Sequence, residues 1–220
     1  PLTPVLCNPY NASQNIEGLT IGQKYMVRVY TGNVLQTNTF DICVRTVLPP
    51  VATDNTTYTV EQLVTDVLIG SECAQVSNIT WSTGTNFLNP ENNNAPGPNG
   101  IAYFNQNGSA FPMAGGIVLT TGNAMDTPGP ENQLLDDGHK SWLGDEDLNQ
   151  IVLDETGLPM NSTNATILEL DFVPLIDNMR FDFLFASEEY GTFQCDLSDS
   201  FAFLLTNSDG NTTNHALVPG

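Results

Sequence analysis

Two segments near the end of the sequence decide the fold class, Met179–Ala186 (MRFDFLFA) and Ser200–Thr206 (SFAFLLT). Apolar side chains occupy every second position of both segments, at Phe181, Phe183 and Phe185 and at Phe201, Phe203 and Leu205. Because successive side chains of a β-strand point to opposite faces, this period of two predicts two strands that each carry an aromatic face. We expect these two strands to lie in the core of a β-sandwich.

Further strands are predicted by alternation at Ile101–Asn105, Gly116–Thr120 and Ala165–Val173. One helix is predicted from residue 60, because its apolar residues recur at helical spacing, at Val60, Leu63, Val64, Val67 and Leu68. Thr59 and Gln62 have the spacing of a capping box before it, and Gly70 is placed to end it. Residues 89–100 and 122–138 are rich in Asn, Pro and Gly and are predicted as long loops.

The first 50 residues have a different pattern. Alternation predicts strands at residues 24–30 and Thr39–Val47, and Pro49-Pro50 then indicates a linker. We interpret residues 1–50 as the last strands of a truncated β-sandwich. The sequence therefore predicts a mainly β fold, in which this hairpin precedes a β-rich, sandwich-like domain at 58–220 with one or two short helices and long loops.

The charge balance excludes whole classes of partner. Five Lys and Arg against 25 Asp and Glu give a formal net charge of −20, which repels phosphate backbones and anionic lipid surfaces. We therefore expect no nucleic-acid binding. No apolar stretch approaches the roughly 20 residues of a membrane-spanning helix, so we expect no direct membrane insertion. The chain starts at Pro1 without a signal-peptide pattern, and we expect it to be a piece of a longer protein.

The cysteines indicate an oxidising compartment. Cys7, Cys43, Cys73 and Cys195 are far apart and form no CxxC pair, which favours two disulfides over a zinc site. Cys7–Cys43 and Cys73–Cys195 are the expected pairs, because each lies inside one proposed domain. Seven Asn-x-Ser/Thr sequons also suit an extracellular protein.

The sharpest acidic feature follows the first aromatic strand. Glu188 and Glu189 come directly after it, and Asp196 and Asp199 lie within the next ten residues. Like charges this dense need a counterion, and calcium is the hard cation that carboxylate loops bind. Two alternatives stay open: Glu188 accepts hydrogen bonds from loop amides while Glu189 is solvated, or the two belong to a glycosidase site. Neighbouring residues at a strand end point apart, which disfavours the last of these.

A second acidic segment contains Asp145 and Asp147. It begins like an EF-hand loop, but Gln150 replaces the required Gly and Thr156 the required Glu, so an EF-hand is excluded. A calcium role for the two aspartates remains one hypothesis. The other is that Asp145 caps a short helix, with the next acids at its positive end.

Candidates for other chemistry are few. His139 and His215 have no Cys or His at ligand spacing, and there is neither a GxSxG elbow nor a phosphate-binding glycine loop. We expect both histidines at the surface. Trp81 and Trp142 flank long loops, where they are candidates for stacking on a sugar ligand or for ordinary packing.

Residues 58–220 resemble the choice-of-anchor L domain family of secreted or surface proteins of bacteria. The resemblance rests on segments in the same order, namely Val60–Ile69, Gly70–Asn78, Gly100–Phe104, Gly116–Gly122, Gly144–Leu148, Leu170–Pro174, Phe185–Tyr190 and Asp199–Phe203. Residues 1–50 resemble the closing strands of fibronectin-III-like or pre-peptidase C-terminal domains, through GLT at Gly18–Thr20, VRVY at Val27–Tyr30 and FDICV at Phe40–Val44.

The resemblance implies a surface module and no reaction. We therefore expect a non-catalytic adhesin or surface-display component at a bacterial cell surface, with an extracellular ligand or glycan, or neighbouring modules of the same protein, as partner. In Bacteroidetes-like members of the family, a type IX secretion or gliding-motility-associated signal commonly follows the domain, which implies export by a type IX-like route. The alternatives are a carbohydrate-binding module and a secreted hydrolase.

Overall fold

The computed structural model describes residues 16, 19–20, 23–27, 49–69, 72–128, 137–187 and 199–216. The chain divides into two compact units, Pro1–Leu48 and Pro49–Gly220. In the first unit, residues 23–27 form neither helix nor strand, so the strand predicted from residue 24 is not found over its first four residues. The rest of that strand, and the one predicted at Thr39–Val47, lie outside the described residues.

The second unit is mainly β, as predicted. Its strands are β1 Ala52–Asp54, β2 Ala74–Ser82, β3 Leu88–Asn89, β4 Ala95–Pro96, β5 Ile101–Asn105, β6 Gly115–Leu119, β7 Ile167–Pro174, β8 Leu204–Thr206 and β9 Thr212–Asn214. Two helices accompany them, α1 Val60–Gln62, which continues as a π-helix over Leu63–Leu68, and α2 Glu146–Thr156. Single 3₁₀ turns lie at Gly84–Asn86, Pro90–Asn92 and Ala124–Asp126. None of the helices in the described ranges has the length and apolar content that crossing a bilayer requires.

The strands form small antiparallel sheets. β5 is the centre of the largest, in the order β1-β5-β6, and the remaining strands pair as β2-β7, β3-β4 and β8-β9. Tyr103 of β5 lies opposite Ile117 of β6 and Asp54 of β1. Since Ile101, Ala102 and Phe104 of β5 are buried, this central strand carries much of the core.

Helix α1 begins where the sequence predicts. The Thr59 hydroxyl oxygen accepts the Gln62 N–H at 3.2 Å, and the Gln62 side-chain oxygen accepts the Thr59 N–H at 2.9 Å. The helix then widens into π geometry, in which the Ile69 N–H donates to the Val64 carbonyl at 2.9 Å. This extra residue per turn rotates the end of the helix, so Ile69 is buried where the α-helical spacing predicts Leu68. Gly70 lies outside the described residues.

The longest strand, β2, was not predicted. Its sequence AQVSNITWS is polar at most positions, and the strand register against β7 shifts between Ser77 and Thr80. Asn78 has a φ of 50° at this irregularity. A bulge moves the following side chains to the opposite face, so the alternation is lost in the sequence although the strand continues.

The aromatic segments that decided the fold class differ from the prediction. Residues 179–187 form no strand, and of residues 200–206 only β8 does. The rings still meet, since Phe181 lies 4.8 Å from Phe203 and Phe183 lies 5.5 Å from Phe201 between centroids. However, the side chains of Phe183, Phe185 and Phe201 are exposed. The expectation of a sandwich core is therefore wrong here, because these rings pack on one another and not beneath a second sheet.

Candidate functional site

Trp142 is a core residue and not a ligand-binding one. Its side chain is 0% exposed, and the indole N–H donates to the Ala165 carbonyl at 2.9 Å. Gly84 lies against the ring, and a Cβ at that position would come within 2.9 Å of two ring carbons. A ring enclosed in this way is inaccessible to a sugar, so the prediction of ligand stacking is wrong for Trp142.

Trp81 is accessible. It lies near the end of β2 opposite Leu168 of β7, and 38% of its surface is exposed. Val76 and Phe172 pair on the same face, which makes this side of the two-stranded sheet apolar. On the opposite face, the Asn78 amide donates to the Asp171 carboxylate at 2.7 Å. Trp81 thus stands at the end of an apolar face, and its role in binding stays a prediction.

Asp145 is the N-cap of α2. Its carboxylate accepts the Leu148 N–H at 2.9 Å, while its own N–H donates to the Ser162 hydroxyl at 2.8 Å. Glu146 and Asp147 follow in the first turn of α2, where the positive end of the helix stabilises negative charge. The helix-capping interpretation of this segment is therefore confirmed.

The acids proposed as calcium ligands are only partly described. Glu188, Glu189 and Asp196 lie outside the described residues, and Asp199 accepts a hydrogen bond from the Ser187 hydroxyl at 3.0 Å. Among the residues that the structure does describe, no three His, Cys, Asp or Glu side chains come together as metal ligands would. Asp145, Asp147 and Asp199 are thus not brought into one cluster, and a calcium site stays a prediction.

The predicted disulfides have no support in the structure. Cys73 is half-buried between α1 and β2, and it forms no disulfide with another described residue. It lines a shallow groove together with Ile69, Ile176 and Phe181. Cys7, Cys43 and Cys195 lie outside the described residues, so both pairings stay predictions.

The two histidines have different surroundings. His215 is exposed and its ring meets the Phe203 ring at a centroid distance of 6.3 Å. His139 differs from the expected surface residue, since both of its ring nitrogens are buried without a hydrogen-bond partner. Its Nε2 faces Gly97, where a Cβ would lie 2.6 Å away. A general base needs a partner that orients it, and within the described residues neither histidine has one.

Asp54 has a clearly perturbed carboxyl that no sequence motif indicated. It accepts hydrogen bonds from the Thr57 hydroxyl, the Thr56 N–H and hydroxyl, and the Thr57 N–H. These donors, with the Thr57 hydroxyl foremost, hold the pKa of Asp54 well below its usual value. Its signal in the sequence is Asp54-Asn55-Thr56-Thr57, with threonines two and three residues after the aspartate, and its role is to hold the turn between β1 and α1.

Comparisons with known proteins identify the family of the domain. Neither the comparison with curated proteins nor that with solved structures finds a match. The model of the choice-of-anchor L domain matches residues 51–220, from the residue before β1 to the end of the sequence. The chain therefore belongs to the choice-of-anchor L domain family.

Proposed function

We propose that this domain is a non-catalytic binding module, of the adhesin or surface-display type, in a protein at a bacterial cell surface. The choice-of-anchor family consists of modules of surface-associated or secreted proteins, and it is not known as catalytic. Membership of that family over residues 51–220 is the observation that carries the proposal. The partner is an extracellular ligand or glycan, or a neighbouring module of the same protein, and export follows a type IX-like route.

The roles of the polar side chains support this proposal. The carboxylates of Asp54 and Asp145 hold a turn and a helix terminus, and the two ring nitrogens of His139 are buried. The two carboxylates therefore stabilise the fold, whereas acid–base catalysis needs a titratable group within reach of a substrate. What the described surface offers in their place is exposed apolar area, which is typical of protein or ligand contact.

Surface location and adhesion test the proposal directly. Antibodies raised against the 220-residue chain are expected to label intact cells that express the parent protein. Deleting residues 51–220 from that protein is expected to lower cell adhesion while its export continues. Labelling only after cell lysis, or turnover of chromogenic esters or glycosides by the purified chain, would contradict the proposal.

Carbohydrate binding is the second candidate, favoured by the exposure of Trp81 at the end of the apolar face of β2 and β7. Indole rings stack on the apolar faces of sugars and bury a large area on binding. A glycan array probed with the chain is expected to give signals that Trp81→Ala abolishes. Leu88→Ala is the matched control, because Leu88 is also exposed but lies in the β3-β4 pair. Equal loss in both variants, or no signal for the unmodified chain, would exclude this candidate.

A further inference from the structure

The residues that follow Phe181 present apolar side chains to solvent in an unusual concentration. Phe183, Leu184 and Phe185 are 45%, 53% and 44% exposed. We call these three residues the apolar edge. Phe201 and Leu205, from the neighbouring segment, are also exposed. Single exposed apolar residues are ordinary, whereas several exposed apolar residues in neighbouring segments are typical of an interaction surface.

The backbone around the apolar edge makes no hydrogen bond to any other residue that the structure describes. Phe181 contacts Phe203 and Phe183 contacts Phe201, so residues 181–183 run antiparallel to residues 201–203. Yet none of the backbone hydrogen bonds found among the described residues involves residues 179–186. A chain of this kind has N–H and C=O groups ready to pair, which is the template that strand addition uses.

The negative charge around the apolar edge determines which kind of partner strand can bind there. Asp182 lies within the first of the two aromatic segments, Asp177 lies two residues before Met179, and Asp199 lies directly before Ser200. Arg180 pairs with Asp182 at 2.7 Å, which leaves the group negatively charged. A second copy of the chain would bring another net charge of −20 to the contact. Like charges repel, so self-association is disfavoured, whereas a strand with lysine or arginine between its apolar residues is attracted.

We infer that the apolar edge binds an extended strand of another protein in which apolar residues alternate with lysine or arginine. This inference deepens the proposed binding function and rests on it. Backbone pairing along residues 183–186 supplies the hydrogen bonds, and the exposed phenylalanines receive the apolar side chains of the partner. The surrounding aspartates select the cationic sequence.

A synthetic peptide probe tests this inference on the whole 220-residue chain. The probe is a fluorescein-labelled ten-residue peptide that alternates valine and lysine, and binding is followed by fluorescence anisotropy. We expect saturable binding that weakens as salt is raised, because exposed charges are screened over about 10 Å at 0.1 M salt. Methylation of alternate backbone nitrogens of the peptide is expected to weaken binding at least about tenfold, since it removes hydrogen-bond donors.

Variants of the protein locate the site. Phe185→Ser is expected to weaken peptide binding about tenfold, because it removes an apolar contact from the edge without touching the Phe183–Phe201 contact. Leu88→Ser, which also removes an exposed apolar side chain but in β3, is expected to leave binding unchanged. Circular dichroism melting of both variants verifies that the fold is intact.

Several results would overturn the inference. These are the absence of binding at millimolar peptide, equal binding of the N-methylated peptide, equal binding of a valine–glutamate peptide, and equal effects of Phe185→Ser and Leu88→Ser. Dimerisation of the chain in sedimentation that Phe185→Ser abolishes would assign the edge to a second copy instead. Such results leave the cell-surface labelling test unaffected, so failure here is distinguishable from failure of the proposed function.

Discussion

The two tryptophans show how strongly the role of a residue depends on what surrounds it. Trp142→Phe is expected to lower the free energy of unfolding by about 1–3 kcal/mol, because it leaves the Ala165 carbonyl without its buried donor and opens space in the core. Trp81→Phe makes the same chemical change on an exposed ring, and we expect it to change the free energy of unfolding by less than about 0.5 kcal/mol. Urea denaturation followed by circular dichroism measures both values. Equal losses would contradict the burial difference between the two rings.

Close packing around Trp142 makes a glycine essential at position 84. A Cβ there would lie 2.5 Å from the Pro98 carbonyl oxygen and 2.9 Å from the indole ring. Gly84→Ala is therefore expected to cost about 1–3 kcal/mol of stability through overpacking. At Gly122 the nearest atom to such a Cβ is 3.5 Å away. Gly122→Ala is therefore expected to change the free energy of unfolding by less than about 0.5 kcal/mol. Thermal unfolding of the two variants side by side tests this, and a large loss in both would refute it.

Individual roles were predictable from the sequence when they depend on near neighbours. The capping role of Asp145 was one of two readings of Gly144-Asp145-Glu146-Asp147, since its partner Leu148 is three residues away. Ordinary packing was one of two interpretations of Trp142, and the sequence did not decide between them, because the hydrogen-bond partner Ala165 lies 23 residues along the chain. The burial of the His139 Nε2 atom depends likewise on Gly97, which no local pattern connects with it.

At the scale of elements, the start of α2 offers a sharp test of what the Asp145 carboxylate does. Asp145→Ala removes the acceptor for the Leu148 N–H and is expected to lower the free energy of unfolding by about 1 kcal/mol. Asp145→Asn keeps an acceptor oxygen of similar geometry, and asparagine is an equally good N-cap, so its expected cost is a few tenths of a kcal/mol. Chemical denaturation measures the difference between them. If asparagine were as damaging as alanine, the charge of the carboxylate and not its capping bond would be the stabilising feature.

Strands with regular alternation were predicted closely. The prediction of Ile101–Asn105 coincides with β5, and those at Gly116–Thr120 and Ala165–Val173 differ from β6 and β7 by one or two residues at each end. β2 was missed because its bulge at Asn78 breaks the alternation. The segment 179–186 has ideal alternation, but among the described residues it pairs with no other strand, and the local sequence does not specify such a neighbour.

At the scale of the whole molecule, the family was recognisable from the order of its segments, whereas the candidate site was not. The match over residues 51–220 confirms the resemblance, and it begins seven residues before the predicted domain because β1 belongs to the β5 sheet. The exposed apolar edge could not be foreseen, because phenylalanines at alternate positions predict burial. Exposure depends on which elements cover a face, and that is a property of the assembled domain.

Calcium binding is expected to stabilise the whole molecule, because only five Lys and Arg balance its 25 acidic residues. If the carboxylates between Glu188 and Asp199 bind the ion, the thermal midpoint is expected to be higher in calcium than in EDTA. An ion at 100 times its Kd stabilises a single site by about 2.7 kcal/mol. Magnesium at the same ionic strength is the control, because screening of the net charge would raise the midpoint equally with either cation.

Two variants assign the effect of calcium to a segment. Glu188→Gln is expected to abolish the calcium-specific rise, because it removes a charged ligand from the acidic segment that follows residue 187. Asp145→Asn is expected to retain the rise, since the Asp145 carboxylate is occupied by the N-terminus of α2. If Asp145→Asn abolished the rise and Glu188→Gln retained it, the ion would instead bind at the start of α2. Equal midpoints in calcium and magnesium would mean that these acids are held by hydrogen bonds within the protein, as Asp54 and Asp145 are.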